Sequence, residues 1–397
     1  MTVAFDVIVL GVGGMGSAAC HQLALRGARV LGLEQFSLVH DRGSSHGQSR
    51  IIRQAYFEHP DYVPLLLRTY DLWHRLEQSS DLTLFQQVGL ALSGVSTGET
   101  ISGSRLAARQ HGLTIEELTA MQAGKRWPAL SFPENHSVVF EPRAGLLHVE
   151  ACVQAHIDQA IQNGADIRAG ERVLGWKSNG TSITVQTESA EYSAGSLVVT
   201  SGAWAGECLR ELGLPLKVVR KFVGWFPILN GAYGADQGMP TYFFELPGGT
   251  FYGFPSLDGS TVKMAEHSGG QPVDHPGDVD RTMHAEDLVR LAEFARSHLP
   301  GLGATPAHHS VCLYTMSPDQ HFMIDAHPQW NNVVFAAGFS GHGFKFAPVI
   351  GEALADLALN RATDLPIEFL RLNRFPQAFS HPPDVGTTDI RHPAASP

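Results

Sequence analysis

The N-terminal segment contains a strand, a glycine-rich turn, a helix and a second strand that ends at an acidic residue. Residues 6–10 form a continuous apolar run, typical of a parallel strand that is buried on both faces. The turn Gly11-Val12-Gly13-Gly14-Met15-Gly16 follows directly, and an alanine-rich helical pattern covers 17–25. A second strand, 29–33, leads to Glu34. This order predicts a βαβ unit and therefore a parallel sheet.

The glycines and the acid are spaced for binding a dinucleotide. Gly11 permits the tight turn, Gly13 lets backbone N–H groups approach a pyrophosphate, and Gly16 lets the helix pack closely on the strand. The helix N-terminus carries about half a positive charge for the phosphates. Glu34 can accept hydrogen bonds from ribose hydroxyls. The pattern alone does not separate FAD from NAD, and an ordinary βα turn is the alternative. The cofactor-binding residues predicted here are Gly11, Gly13, Gly14, Met15, Gly16 and Glu34.

Composition and charge restrict the class of protein. Of 397 residues, 43% are hydrophobic and 17% charged, so the chain can bury a sizeable core. The formal net charge of −11 argues against nucleic acid or an anionic membrane as a partner. No run approaches the roughly 20 apolar residues that cross a bilayer. The cysteines stand far apart without a C-x-x-C pair, which favours a reducing cytoplasm over a disulfide framework or a metal site. They are Cys20, Cys152, Cys208 and Cys312.

The α/β pattern occurs at the start, middle and end of the chain and is interrupted twice by β-rich sequence. We therefore predict an α/β (α+β) protein with a discontinuous Rossmann-like nucleotide-binding domain and an interleaved antiparallel-sheet substrate domain. The first domain is assigned to 1–85, 146–215 and 310–385, the second to 86–145 and 216–309, and a C-terminal tail to 386–397. Helices are predicted at 61–77, 149–163 and 285–298, and a two-residue hairpin turn at Asn179-Gly180.

Three later segments resemble the signatures of one enzyme family. They are Gly-Ser-Ser-His-Gly-Gln-Ser-Arg-Ile-Ile-Arg-Gln-Ala-Tyr at 43–56, Val-Cys-Leu-Tyr-Thr at 311–315, and Gly-Phe-Ser-Gly-His-Gly-Phe-Lys-Phe at 338–346. Their order and spacing are similar to those of monomeric sarcosine oxidase and N-methyltryptophan oxidase over nearly the whole chain. The resemblance implies a flavin-dependent amine oxidase, related to D-amino-acid oxidase, that oxidises secondary amino acids with FAD attached covalently to cysteine.

The resemblance also implies roles around the flavin. Cys312 would form a thioether to the 8α carbon, whereas a buried structural cysteine is the alternative, as assumed for the other three. Lys263 would stabilise the anion formed when O2 is reduced. Gly341 and Gly343 would open a helix facing the pyrimidine carbonyls, with a ligand-free helix start as the alternative. The other residues placed at the cofactor are Arg42, Ser44, Arg50 and Lys345.

The substrate residues follow in the same way. Arg53 and Lys345 match a pair that binds the substrate carboxylate, for which a guanidinium fork and an ammonium are suited. Arg50 matches a residue beside the flavin ring, with His46 and Ser49 in the same loop. The remaining residues predicted to lie at the substrate are His267, next to the amine, and Tyr252 and Tyr314, which line the pocket.

Departures from the family pattern concern specificity. The family's paired histidines become Ser45-His46, its Asp-Thr becomes Gln48-Ser49, and a tyrosine before the substrate histidine becomes Glu266, which would change the charge of the pocket. Residues 267–271 and 371–375 look more like the N-methyltryptophan branch. We expect a monomeric oxidase that converts N-methyl-L-tryptophan, O2 and water into the primary amino acid, formaldehyde and hydrogen peroxide, with sarcosine as the second choice of substrate. The alternatives are an NAD-linked dehydrogenase and a non-catalytic or tRNA-modifying flavoprotein.

Overall fold

The computed structural model describes residues 4–375 and 387–390. The strands are β1 (Ala4–Leu10), β2 (Val30–Leu33), β3 (Ser49–Ile52), β4 (Phe85–Gln86), β5 (Leu90–Val95), β6 (Glu116–Thr119), β7 (His136–Glu141), β8 (Gly145–His148), β9 (Asp166–Arg168), β10 (Val173–Ser178), β11 (Ile183–Thr187), β12 (Glu191–Val199), β13 (Lys217–Pro227), β14 (Thr241–Leu246), β15 (Gly249–Gly253), β16 (Thr261–Glu266), β17 (Gln271–Val273), β18 (His308–Met316), β19 (Met323–Ala326), β20 (Val333–Ala337) and β21 (Thr387–Asp389). The helices are α1 (Gly14–Leu25), α2 (Tyr62–Ser80), α3 (Glu99–His111), α4 (Ala120–Arg126), α5 (Val149–Gln162), α6 (Ala205–Cys208), α7 (Ala285–His298) and α8 (Ala347–Asn360).

The first sheet contains the predicted βαβ unit. Its centre is parallel: β1 lies between β2 and β12, and β12 also pairs with β20. Side chains alternate across β1, so that Val7 and Val9 pack toward α1 and α8 while Ile8 and Leu10 pack on the opposite face. Both faces are covered, which explains why the strand is apolar throughout. The carboxyl ends of these strands meet at one edge, where ligands bind in sheets of this kind.

The second sheet has the strand order β17-β13-β16-β15-β14-β5-β7-β6, with β18 paired to β13. One face packs against α7, whose Leu291 and Phe294 belong to that core. The other face carries lysine and cysteine side chains at directly opposite positions of neighbouring strands. In the register, Lys221 lies opposite Cys312, and Trp225 lies opposite Lys263. Since directly opposite residues point to the same face, the sheet gathers these side chains on one surface.

A third sheet, β3-β8-β4, is small but positions the loop that follows the first domain's second strand. Its strand β3 includes Arg50 and is held against β8 through the pair Arg50 and Leu147. Among the described residues, no helix is both long and apolar enough to cross a membrane.

The predicted fold class is confirmed, but two boundaries and one turn differ from the prediction. The segment assigned to the first domain from residue 310 begins within β18, which pairs with β13 in the second sheet. Of the predicted tail, 386–397, only 387–390 lie within the described residues, and there β21 pairs with β10 in the first sheet. The Asn179-Gly180 turn is a four-residue loop, because the Asn179 side chain accepts N–H groups from Thr181 and Ser182.

Candidate active site

A cavity of about 1420 Å³ lies at the edge where the parallel strands of the first sheet end. Its walls come from the glycine turn, the end of β2, the loop before β3 and the segment after β20. The predicted residues that line it are Gly11, Gly13, Gly14, Met15, Glu34, Ser44, Arg50, Gly341 and Gly343. The other residues predicted to lie at the cofactor, which are Gly16, Arg42, Cys312 and Lys345, are not among those that line this cavity.

The glycine turn fits the pyrophosphate of a dinucleotide. Gly11 has a φ of +88°, and a Cβ there would lie 2.8 Å from the carbonyl oxygen of Thr200. A Cβ on Gly16 would lie 1.8 Å from the oxygen of Gly11, so α1 can approach β1 only with glycine at this position. A Cβ on Gly13 would have only the Ser45 hydroxyl within 4.0 Å, so this stretch of backbone is open to a ligand. The turn thus combines close packing behind with accessible amides in front.

The acidic residue after β2 has the expected position. Glu34 is buried, and its Oε2 accepts the backbone N–H of Val12 at 3.0 Å while Oε1 accepts that of Phe36 at 3.1 Å. These bonds fix the carboxylate in the cavity wall, where its remaining lone pairs can receive ribose hydroxyls. The residues that line the cavity therefore fit FAD.

Several predicted residues lie elsewhere. The Arg42 side chain is exposed, its Nε is 3.7 Å from Asp41, and it does not line the cofactor cavity. Lys345 lines the substrate pocket instead of the cofactor cavity. The predicted helix opening at 341–343 is also shifted, since α8 begins at Ala347 after a 3-10 turn at Phe344–Phe346. Gly341 has a φ of +82°, and a Cβ there would clash with the Tyr314 ring.

Sequence reasoning missed part of the cavity wall. Thr200, Trp204 and Phe344 line it, and the hydroxyl of Ser45 accepts the N–H of Gly14 at 3.2 Å. Thr200 directly follows β12, which neighbours β1 in the sheet. The strand-end position of the run 200–204 was the signal that pointed to these residues. Ser45, which replaces a histidine of the family pattern, thus contacts the glycine turn and does not line the substrate pocket.

Cys312 is buried next to a permanent positive charge. Its Sγ lies 3.5 Å from Nη2 of Arg50, whose guanidinium is fixed by the carbonyls of Ser44 at 2.7 Å and Ser49 at 2.8 Å. Burial raises the pKa of this thiol, but His46, Arg50 and Lys263 outweigh burial and lower the pKa to about 6. His46 lines neither cavity; its Nδ1 is 3.3 Å from the Ser310 hydroxyl. At neutral pH, Cys312 is therefore largely a thiolate and thus a nucleophile.

The other three cysteines have the opposite environment. Burial raises the pKa of Cys20 and Cys152, and it raises the pKa of Cys208 to about 12. Cys208 is the informative comparison, because it lines the same cavity as the glycine turn but no cation is among the groups that shift its pKa. Reactivity is thus concentrated at Cys312 by its neighbours.

Lys263 is buried beneath the first residue of β3. Its Nζ donates to the Ser49 carbonyl at 2.7 Å and the Ser49 hydroxyl at 3.1 Å, and lies 4.5 Å from the centre of the Phe254 ring. Burial, reinforced by the charge of Arg50, lowers the pKa of Lys263 well below its usual value. Lys263 lines a third cavity with Trp225 and Phe254, and it is not among the residues of the substrate pocket.

A second cavity of about 600 Å³ adjoins the first and forms the candidate substrate pocket. Arg50, Tyr314, Gly341 and Phe344 line both cavities, so a ligand in one would contact a ligand in the other. The predicted substrate residues that line this pocket are Arg50, Arg53, Tyr252, His267, Tyr314 and Lys345. Its apolar wall, which the sequence did not predict, consists of Phe57, Leu90, Leu92 and Phe243.

Arg53 is held as an oriented cation at one end of this pocket. Its guanidinium lies 4.1 Å from the ring centres of both Tyr56 and Phe57. Its Nη2 contacts both oxygens of Glu58, at 2.7 and 2.5 Å. Burial raises the pKa of Glu58, but Arg53, His342 and Lys345 outweigh burial and lower it to about 2. The sequence analysis did not identify Glu58. Its carboxylate occupies the arginine that is predicted to bind the carboxylate of the substrate.

Lys345 supplies the second cation. Its Nζ donates to the His342 carbonyl at 2.6 Å and to the Tyr56 hydroxyl at 3.4 Å. Burial and the nearby Arg53 lower the pKa of Lys345 to about 7. A substrate carboxylate would stabilise the charged form, so binding of an acid and protonation of Lys345 favour each other.

His267 faces the same pocket as a neutral base. Its Nδ1 lies 3.4 Å from the Tyr314 hydroxyl, and burial, followed by the charge of Lys221, lowers its pKa to about 3. Glu266 lies on the opposite face of β16, where its carboxylate is 2.8 Å from Arg290. The expectation that Glu266 changes the charge of the pocket is therefore wrong, because consecutive strand residues point to opposite faces.

Comparisons with known proteins show which family this chain resembles. The family model described as "FAD dependent oxidoreductase" (DAO) matches residues 6–357. Monomeric sarcosine oxidase from Bacillus sp. (strain B-0618) is 39% identical, covering 94% of this chain and 97% of that protein. N-methyl-L-tryptophan oxidase from Yersinia pestis (strain Pestoides F) is 35% identical, covering 94% and 99%. The open form of NikD, described as an unusual amino acid oxidase, has a TM-score of 0.82 at 28% identity, covering 93% and 98%.

Proposed function

This chain belongs to the family of FAD-dependent oxidoreductases, and from that premise we propose that it is an oxidase of N-methyl amino acids. FAD is its cofactor and, when bound, supplies the redox chemistry. The observation that carries the proposal is the shared wall between the cofactor cavity and a pocket that contains Arg50, Arg53, Lys345 and the neutral imidazole of His267. This assignment replaces the alternative of an NAD-linked dehydrogenase.

The pocket's polar end determines how an amino acid is bound. Arg53 and Lys345 bind the substrate carboxylate, which displaces Glu58 from the guanidinium fork. With the carboxylate fixed, the amine lies toward His267, whose neutral ring accepts an N–H hydrogen bond. The positive charges around the pocket disfavour a protonated amine, so the free base is the form that reacts. Fixed orientation of the N-methyl group supplies a large part of the rate acceleration.

The apolar wall favours a substrate larger than sarcosine. The rings of Phe57 and Phe243 pack at a tilt with their centres 5.4 Å apart, and Leu90 and Leu92 continue the surface. An aromatic side chain buries apolar area against such a wall, whereas sarcosine has no side chain to place there. We therefore place N-methyl-L-tryptophan first, with sarcosine as the alternative. The products are the primary amino acid, formaldehyde and hydrogen peroxide.

The remaining roles concern the cofactor and O2. Cys312 is proposed to attach FAD covalently, which its thiolate character supports. His46 is proposed to assist by lowering the pKa of this thiol. Lys263 is proposed to stabilise the charge that develops on O2 as it is reduced. The four free cysteines fit a cytoplasmic protein, and we propose that location together with a monomeric state.

Peroxide and formaldehyde release, measured with N-methyl-L-tryptophan, sarcosine and N-methyl-L-alanine, tests the proposed function. We expect all three to be oxidised, with the highest kcat/KM for N-methyl-L-tryptophan because only its side chain reaches the apolar wall. The gain over N-methyl-L-alanine is expected to be on the order of 10- to 100-fold, equivalent to burying a part of one aromatic side chain. If none of the three releases peroxide, the assignment to N-methyl amino acids fails. If sarcosine is preferred, the substrate choice changes while the reaction class stands.

A Glu58→Gln substitution is predicted to lower KM for the preferred substrate about fivefold with little change in kcat. The glutamine amide is uncharged and binds Arg53 more weakly than the glutamate does. The substrate carboxylate therefore displaces it from the guanidinium more easily. Steady-state peroxide kinetics at neutral pH measure both constants. The control is Glu352→Gln, which removes an ion pair with Arg68 away from the pocket. An unchanged or raised KM in Glu58→Gln would show that Glu58 does not compete with the substrate.

A further inference from the structure

Lys221 is a buried cation that the proposed reaction does not use. It lies on β13 with 4% of its surface exposed. Its Nζ donates to three consecutive carbonyls, those of His267 at 2.9 Å, Ser268 at 2.6 Å and Gly269 at 3.1 Å. An ammonium has three N–H donors, and here each has one acceptor. The segment that carries the pocket histidine is thus bound directly by this side chain.

The chain folds around Lys221 because of two glycines. Gly269 has a φ of +63° and Gly270 a φ of +121°, conformations that other residues rarely adopt. A Cβ on Gly270 would lie 3.1 Å from Cδ of Lys221 and 3.1 Å from the carbonyl oxygen of Arg220. On the other side, the N–H of His267 donates to Thr250 at 2.8 Å. The backbone of His267 is therefore fixed by hydrogen bonds through both its N–H and its carbonyl group.

Lys221 points toward the site and away from α7. In the register of β13 and β18 it lies opposite Cys312, and its Nζ is 5.2 Å from the centre of the Tyr314 ring. Its neighbour Arg220 points the other way and pairs with Asp287 at 2.7 Å. Lys221 thus lies behind His267 and Tyr314, two residues of the pocket wall.

The charges around Lys221 come from several elements. Burial lowers its pKa, and Arg290 on α7 lowers it further, whereas Glu266 on β16 raises it, with a result of about 8. Tyr314 on β18 and His267, whose pKa the charge of Lys221 lowers, are further titratable groups near it. At neutral pH, Lys221 is mostly charged, and its charge helps to keep His267 unprotonated.

We propose that Lys221 is a positioning residue for the substrate amine: it holds His267 at the pocket through the three carbonyls and supplies positive charge behind it. The first effect orients the imidazole that accepts the amine N–H group. The second favours the free-base form of the bound amine over its protonated form. This inference rests on the proposed function, because it needs an amine beside His267.

The test compares Lys221→Met with Lys221→Arg in the FAD-loaded protein. Lys217→Met is the matched control, because Lys217 is an exposed lysine on the same strand. Anaerobic stopped-flow reduction by N-methyl-L-tryptophan is followed as a function of pH. In Lys221→Met we expect the limiting rate to fall on the order of 10- to 100-fold through misplacement of His267. The acidic limb of the rate profile is expected to move up by roughly one pH unit, because the bound amine loses a nearby positive charge.

The arginine variant is expected to restore the position of the acidic limb and a large part of the rate. Reoxidation by O2 in Lys221→Met is expected to be unchanged, because Lys263 lies in a separate cavity. A wild-type rate and profile in Lys221→Met would overturn the proposal. A slower rate without a shifted acidic limb would also overturn it, since that result describes a structural residue only.

A second measurement does not depend on turnover. Hydrogen exchange of the peptide covering 267–270, followed by mass spectrometry in the FAD-loaded protein, should be faster in Lys221→Met than in wild type or Lys217→Met, and slowed again in Lys221→Arg. Equal exchange in all four proteins would show that Lys221 does not hold the segment. If the wild type oxidises no N-methyl amino acid, the proposed function fails, and this comparison still decides whether Lys221 fixes His267.

Discussion

Cys312→Ser protein is expected to bind FAD that acid releases, whereas wild-type protein is expected to keep its colour in the acid precipitate. The thiol is buried with Arg50 3.5 Å from its sulfur, and its pKa is about 6, so the wild-type side chain is a nucleophile at neutral pH. A serine hydroxyl has nearly the same size but is not ionised at that pH, so it cannot form the bond. The intact mass of the denatured wild-type chain should exceed that of the polypeptide by one covalently bound FAD, and the variant should lack this increment.

The control for this experiment is Cys208→Ser. Cys208 lines the cofactor cavity, but burial raises the pKa of its thiol to about 12, so it stays protonated. We expect its substitution to leave the covalent FAD in place. White wild-type precipitate under a yellow supernatant would refute attachment at Cys312 and would leave the family assignment untouched. Loss of attachment in Cys208→Ser together with a coloured precipitate from Cys312→Ser would move the linkage to the other cysteine.

The parts of the fold that the sequence predicted are those fixed by local chemistry. Strand β1 is apolar on both faces, Gly16 permits a contact that no other residue allows, and Glu34 ends the next strand. Each of these features depends on a few neighbouring residues, so it can be predicted without knowledge of tertiary contacts. The family signatures extended this to the site, because they cover the loop before β3, part of β18 and the segment after β20.

What could not be predicted depends on which face of a strand a side chain takes and on contacts between distant elements. Glu266 precedes the pocket histidine, yet it points to Arg290 because alternation along β16 reverses the face. Arg42 lies in the correct loop but turns to solvent. Lys221 resembles any lysine on a strand, and only the wrapping of residues 267–269 around it reveals its hydrogen bonds. Glu58 becomes important only because Arg53 folds back onto it.

Lys263→Met is predicted to slow the reaction of the reduced protein with O2 about 10²- to 10³-fold while leaving reduction by substrate within about twofold. One-electron reduction of O2 creates an anion in a buried site; this charge favours the protonated form of Lys263, whose ammonium then stabilises the anion far more than it would in water. Ser49 holds Lys263 in place, through its carbonyl at 2.7 Å and its hydroxyl at 3.1 Å. Because it does not line the substrate pocket, its removal should not disturb amine binding. Methionine keeps most of the length of the side chain and its packing near Phe254, so the loss of the amine is the main change.

The two half-reactions must be measured separately to test this role. Anaerobic mixing with substrate gives the reduction rate, and mixing of the reduced protein with oxygenated buffer gives the reoxidation rate. Lys263→Arg is the control, since it keeps a cation at the same depth, and it should recover part of the O2 reactivity. Equal slowing of both half-reactions in Lys263→Met would indicate a general disturbance of the site. Unchanged reoxidation would mean that Arg50, the other cation next to Cys312, is sufficient for O2 reduction. Lys263 is separate from the pocket that holds Arg53 and Lys345. We therefore expect neither of these outcomes: only the reaction with O2 should depend on Lys263.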